Sequence, residues 1–224
     1  MQFVRHEICL QYVARRLSEG WRIVSQDGFN VILQSPDGAI LRPVDLRNDV
    51  ETLRPNAAGA ETSIMHQSPG SGEHWDKVDE ASPDAKTTDI YNFKVTSYQR
   101  DLYELPASSG SGVINFVKIY FRVAYSSSYT GYAKPSLRSD TTVTDGTEVE
   151  AGDGEEVFTT YSQQWNTNPA TVSDPWTWDD IDALQIGVSL KSHASGYVIC
   201  TQVYVEVDYT PPPAAGRSFG FIMG

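Results

Sequence analysis

At 224 residues, with 40% hydrophobic and 11% aromatic content, the chain has enough apolar material for one sizeable core or a main domain with a small companion. Its net charge of −12 is carried beyond residue 55, where ten Lys/Arg face twenty-two Asp/Glu; so acidic a body argues against nucleic acid as a partner, because phosphate contacts need clustered Lys/Arg. No stretch has the apolar length of a membrane span, and the two cysteines, Cys9 and Cys200, are expected to be free thiols on a helix pattern and a strand pattern.

In chain order, MQFVRHEICLQYVARR has charges inside every candidate apolar run, so it does not read as a signal peptide. Residues 4–19 read as an amphipathic helix, with Val4, Ile8, Tyr12, Val13 and Leu17 on one stripe and Gly20 as its stop. WRIVSQ, NVILQ and AILRPVD follow, separated by QDGF and SPDG, whose Asp-Gly pairs suit tight hairpins. Residues 1–47 are therefore expected to form a helix plus a three-stranded meander, a docking unit too small to cover both its faces. Residues 48–87, rich in Gly, Ser, Pro and acids, read as a connector and the first loops of the next domain.

From 88 to 210 the pattern is β. In 113–125, Val117, Ile119, Phe121 and Val123 alternate with Lys118, Tyr120 and Arg122; in the last strand, Ile199, Val203, Val205 and Val207 alternate with Gln202, Tyr204 and Glu206. The expected fold is mainly β: a jelly-roll-like antiparallel β-sandwich preceded by the small helix-plus-meander domain. Within DPWTWDDIDALQIGVSL, Thr177 reads as an N-cap with Asp180 at N3, and Leu184, Ile186, Val188 and Leu190 as the core face of the strand that follows. Residues 211–224 read as a Pro-rich arm with an apolar tip of Phe219, Phe221, Ile222 and Met223.

Reactive chemistry is sparse. His6, His66, His74 and His193 make no HExxH or i, i+4 pair, no GxSxG elbow occurs, and GSGE and SSGSGV lack the helix and Lys of a phosphate cradle. No catalytic residue is assigned, the chain is expected not to be an enzyme, and no cofactor is required. Acids gather in WDKVDEASPDAKTTD (Asp76, Asp79, Glu80, Asp84, Asp89) and in TDGTEVEAGDGEE. Loops of this kind either stay solvated or supply the oxygens of a structural calcium, and the first cluster is the candidate. Tyr129, Tyr132 and Trp165 are candidates for stacking on sugar rings, with packing within the protein as the alternative.

LRPNAAGAET, SGEHWDKVDE, PDAKTTDIY, TNPATVSDPWTWDDIDALQIGV and CTQVYVEVDY together resemble a set found in β-sandwich proteins of the structural modules of tailed phages and related viruses, over about residues 50–210. The resemblance implies a virion-associated role and no particular chemistry. A Ser/Thr/Tyr-rich sandwich with neither leader nor disulfide fits a protein assembled in the host cytoplasm and carried on a virion. The expectation is a non-enzymatic virion structural protein, a capsid decoration or a head- or tail-associated component. Its partners would be other virion proteins and copies of itself, met through Val4, Ile8, Tyr12, Phe219, Phe221, Ile222 and Met223. The alternative is a carbohydrate-binding sandwich used in adsorption to glycans.

Overall fold

A computed structural model describes residues 16–27, 30–38, 44–45, 48–84, 86–126, 129–152, 154–171 and 174–212. The chain divides into two compact units, one of residues up to Asp49 with Ser111–Val113 and the chain from Tyr209, the other of Val50–Gly110 and Ile114–Asp208. Val4, Ile8, Tyr12, Cys9, Phe219, Phe221, Ile222 and Met223 lie outside the described residues.

In the first unit, residues 16–18 are helical and the turn closes at Gly20, whose φ of +86° suits a residue without a Cβ. Strands β1 (Arg22–Asp27), β2 (Asn30–Gln34) and β3 (Val44–Asp45) form an antiparallel sheet in the order β1-β2-β3. Asp27 pairs with Asn30, so the two strands join at the position of the Asp-Gly signal.

The second unit is a sandwich of two antiparallel sheets. Its elements are β4 (Asp49–Leu53), β5 (Ala57–Thr62), β6 (His66–Ser68), a 3-10 turn (His74–Lys77), β7 (Asp89–Phe93), β8 (Gln99–Glu104), β9 (Val113–Ser126), β10 (Tyr132–Ser139), β11 (Thr142–Asp145), β12 (Val149–Glu150), β13 (Thr159–Trp165), helix α1 (Trp178–Asp182), β14 (Gln185–Lys191) and β15 (Tyr197–Thr210). One sheet runs β11-β10-β14-β8-β5 with β12 against β10; the other runs β13-β9-β15-β7-β6 with β4 against β15. The core is built from the alternations read in the sequence: Val117, Ile119, Phe121 and Val123 of β9, Val203, Val205 and Val207 of β15, and Ile186, Val188 and Leu190 of β14 are all buried. Asn92 ties the sheets together, donating from Nδ2 to the Leu190 carbonyl at 2.9 Å while its Oδ1 accepts from the Met65 N–H at 3.1 Å.

The capping box of α1 is present: the Thr177 side chain accepts from the Asp180 N–H and the Asp180 carboxylate accepts from the Thr177 N–H at 2.8 Å. Residues 48–87, expected as connector and loops, instead supply β4, β5, β6 and the 3-10 turn. Their strands are short and made of small or polar residues, so no apolar alternation announces them. AAGAET is held as a strand by pairing with β8, and the approach is close enough that a Cβ on Gly59 would stand 2.6 Å from the Leu102 carbonyl oxygen.

Candidate functional site

Register places a chemically varied surface of the sandwich on the outer face of the β10–β14–β8 strands. Tyr132 pairs with Lys191, Lys134 with Ser189 and Ser136 with Gly187, and Ser189 in turn pairs with Arg100. Because side chains alternate, these residues share the face opposite Ala133, Leu137, Ile186, Val188 and Leu190, which are buried in the core.

At one end of this face, charge and aromatic surface interleave. Tyr98, just before β8, lies under two ammonium groups: Lys134 Nζ is 4.3 Å from its ring centre and Lys191 Nζ 4.7 Å. Lys191 Nζ is also 4.5 Å from the Tyr132 ring and 3.2 Å from a Glu148 oxygen. The Tyr98 hydroxyl donates to Glu148. Burial, and then the Glu148 carboxylate, push the Tyr98 hydroxyl well up, while that same hydrogen bond holds Glu148 below the usual carboxylate range. At the tip, Tyr129 from the loop after β9 stacks on His193 from the loop after β14, with ring centres 4.4 Å apart and planes within 3°. Tyr129 remains 46% exposed. Gly131 is needed between Tyr129 and Tyr132, because a Cβ there would meet Val198 at 2.8 Å.

Further along the face, Arg100 spans Asp145, at 3.0 and 2.8 Å, and Glu61, at 3.0 Å. Beneath it the buried Ser136 and Ser189 hydroxyls are 3.0 Å apart, and Ser136 donates to Asp145 at 2.8 Å. Burial pulls the Asp145 carboxyl up, but the Arg100 guanidinium and the Ser136 hydroxyl outweigh it and hold the group low. Glycoside cleavage needs one carboxyl raised to act as an acid. Asp145 and Glu148 are both held low, and the face offers ring surfaces, cations and carboxylate acceptors.

Two of the three predicted aromatics, Tyr129 and Tyr132, therefore lie at one end of one sheet, Tyr132 opening β10 and Tyr129 in the loop before it. Trp165 does not join them; it ends β13 in the other sheet, where its carbonyl accepts from the Trp176 indole N–H at 3.1 Å. Tyr98, Lys134, Glu148, Lys191 and His193 were missed by sequence reasoning. They come from separate segments, and only the pairing of β8, β10 and β14 makes them neighbours.

Among the predicted metal ligands, Asp76 is matched by Lys77 at 2.7 Å. Burial raises Asp79, whose field is shared by Asp76, Arg54 and Lys77. Glu80 and Asp84 meet at the Thr88 hydroxyl, and Asp89 is buried. Among the described residues, no three Asp, Glu, His or Cys side chains form a metal-ligating group. In the second acidic stretch, Asp145 is taken up by Arg100 and Glu148 by Lys191. The structure also reveals a pair the sequence hid: His74 Nδ1 lies 2.6 Å from Asp101 Oδ2. Asp101 is fully buried and also accepts from the Ser63 and Ile64 N–H groups and the Tyr103 hydroxyl, so the pair clamps the β5–β6 turn onto β8.

No family model and no curated protein matches this chain. Among solved structures, it is similar to the C-terminal family 6 carbohydrate-binding module of a laminarinase from Zobellia galactanivorans, at 14% identity over 71% of this chain and 99% of that one, TM-score 0.33. A family 11 carbohydrate-binding module from Clostridium thermocellum, in complex with a β-1,3-1,4-mixed-linked tetrasaccharide, gives 14% identity, 79% and 94% coverage and a TM-score of 0.32. The enzymatically active domain of tailspike protein 4 of bacteriophage CBA120 gives 10% identity over 70% of this chain and 19% of that one, TM-score 0.34. The sandwich assignment rests on this chain's own two sheets.

Proposed function

We propose that the chain is a non-catalytic glycan-binding β-sandwich whose sugar site is the end of the β10–β14–β8 face, capped by Tyr129 and His193. The observation that carries this reading is the Tyr129–His193 stack, formed by the loops that lead into Tyr132 and out of Lys191, a cross-strand pair whose neighbours are Tyr98, Lys134 and Glu148. An aromatic pair stacked between two different loops, with Tyr129 nearly half exposed, presents an apolar ring surface to water. The C–H face of a sugar ring covers such a surface, and its hydroxyls suit the neighbouring carboxylate acceptor and ammonium donors. Residues in the role of platform are Tyr129, His193 and Tyr132; Glu148 and Lys191 orient the ring, and Tyr98 fixes both of them. On the strength of the sequence resemblance, we assign this binding to adsorption of a virion to glycans.

A glycan array with the purified chain, followed by calorimetry on the best ligand, tests the reading. Tyr129→Ala and Tyr132→Ala should each weaken binding about tenfold or more, the loss of roughly 1.4 kcal/mol or more expected for a stacking residue, with the far-ultraviolet spectrum unchanged. Trp165→Ala should bind as the parent does. A chain that binds no glycan, or whose binding survives both tyrosine substitutions, would rule this function out.

A further inference from the structure

The sheet that does not carry the sugar platform has a row of rings on its outer face, where β6, β7 and β15 run together. His66 pairs with Tyr91, and Phe93 pairs with Tyr197. These residues face away from the core, because Ile90 and Asn92, which alternate with Tyr91 and Phe93 along β7, are fully buried and Asn92 reaches the Leu190 carbonyl in the facing sheet. The rings follow one another. His66 stacks on Tyr91 with centres 4.9 Å apart, Tyr91 tilts against Tyr197 at 5.8 Å, and Tyr197 stacks on Phe93 at 4.2 Å. All four are half-buried. Lys94 extends the row, its ammonium 4.6 Å from the Phe93 ring centre. It is exposed, and its φ of +59° lies in the left-handed region that a lysine rarely adopts.

This row runs to the end of the sandwich that holds the platform. The Lys94 N–H donates to the Gly196 carbonyl at 3.1 Å, and the Val95 N–H to the Ser192 hydroxyl at 2.7 Å. The turn after β7 is thereby fastened to the loop that carries His193. Tyr197 follows His193 by four residues, so their Cα atoms are no more than ~14 Å apart. An oligosaccharide of a few units covers such a span. Area and charge select what lies on the row. Four half-buried rings expose a narrow strip, well short of the ~800 Å² per partner that a stable protein interface covers. Successive stacking surfaces match successive sugar rings, each with a C–H face to offer. The charged group set against the rings is the Lys94 ammonium, and the net charge of −12 opposes a polyanion. A neutral chain avoids that repulsion.

We propose that His66, Tyr91, Tyr197 and Phe93 form a second aromatic subsite, and that the ligand is a neutral β-linked glycan chain passing from the Tyr129–His193 platform around the end of the sandwich onto the β6–β7–β15 face. The subsite rests on the platform being the sugar site, and it adds a chain-length preference that the platform alone does not give. The Tyr197–Phe93 pair takes the first sugar beyond the 192–196 loop, with Lys94 donating to its hydroxyls. Tyr91 and His66 take the sugars that follow. A short sugar fills the platform alone, whereas a longer one makes its second contact intramolecularly, at high effective concentration.

Calorimetry of the full chain with cellohexaose, laminarihexaose, xylohexaose and mannohexaose, each against its disaccharide, provides the test. At least one hexasaccharide should bind about tenfold or more tighter than its disaccharide. Tyr197→Leu and Phe93→Leu keep apolar bulk on the sheet while removing a ring face, and the far-ultraviolet spectrum checks that the fold is kept. Each should weaken hexasaccharide binding about tenfold, to the level of the disaccharide, and leave disaccharide binding unchanged. Tyr129→Ala should weaken both lengths. Equal affinity for the two lengths in the parent, or a length preference that persists in both leucine variants, overturns the subsite; disaccharide binding that still falls in Tyr129→Ala then leaves the platform standing. Losses confined to the leucine variants, with Tyr129→Ala binding both lengths as the parent does, overturn the platform and with it the joined site. Binding to none of these sugars overturns the subsite, while the glycan array judges the platform separately.

Discussion

Asp89 shows how one buried group imposes a pH dependence on the whole chain. In the unfolded chain its carboxyl titrates near the usual value of 3.8, whereas in the fold burial raises it to about 6. Between these values the native protein holds a proton that the unfolded chain has released, so native stability falls as pH rises through the window. With part of the field screened, this contribution is about 2 kcal/mol, fully present below about 4 and gone above about 6. Glu80 and Asp79, also raised by burial, add in the same direction. Asp145 and Glu148 act oppositely: their carboxyls are held low, so the stability they add is present above the unfolded value and lost as pH falls below it. Urea denaturation in EDTA at several pH values should therefore show the parent losing stability relative to Asp89→Asn between about pH 4 and about pH 6. Parallel profiles for the two proteins would mean that Asp89 is not desolvated as the fold requires. The abundance of acids in WDKVDEASPDAKTTD was plain in the sequence. Which of them would be buried was not, because burial of Asp89 depends on strands β6 and β15, which are distant in the chain.

The elements that could be read from sequence are those whose signal is local or periodic. The capping box of α1 lies within four residues, and the alternations of β9, β14 and β15 run for seven residues or more. β5 and β6 had no such signal; they are edge strands fixed by pairing with β8 and β7. The sugar platform was half legible for the same reason. Tyr129 and Tyr132 stand out in SSSYTGY, but Tyr98, Glu148, Lys191 and His193 join them only through register. Gly187 shows how tightly that register is set. In β14 it pairs with Ser136 on one side and Leu102 on the other, and a Cβ there would stand 1.8 Å from the Asp101 carbonyl oxygen. Backbone cannot yield as a side-chain tip does, so Gly187→Ala must push β8 away from β14. The expected loss is at least about 2 kcal/mol by urea denaturation, at the upper part of the range for overpacking. Because Lys191 and Tyr98 lie along the same pair of strands, weaker glycan binding should accompany it. An alanine variant with parental stability would show that this strand pair is looser than the structure holds.

At the scale of the molecule, the sandwich and the sequence agree on an acidic, extensively hydrogen-bonded body. The assembly surfaces expected at the two ends of the chain lie outside the described residues. What the described part does set is a contest between two electrostatic effects. A net charge of −12 on 224 residues gives long-range self-repulsion, which salt screens as the Debye length falls from about 30 Å at about 0.01 M to about 8 Å at about 0.15 M. Against it stand attractive pairs that salt weakens: Arg100 with Asp145 and Glu61, Lys191 with Glu148, and Lys86 with Glu156. These pairs are partly or largely exposed, where each contributes about 1 kcal/mol or less, and their short distances make them less sensitive to screening than the diffuse repulsion. Repulsion should therefore dominate the salt response. Raising sodium chloride from about 0.01 M to about 0.15 M should increase the thermal midpoint by a few degrees near neutral pH, and scanning calorimetry in EDTA will read it directly. A falling midpoint would place more of the stability in the Arg100 cluster than its exposure allows.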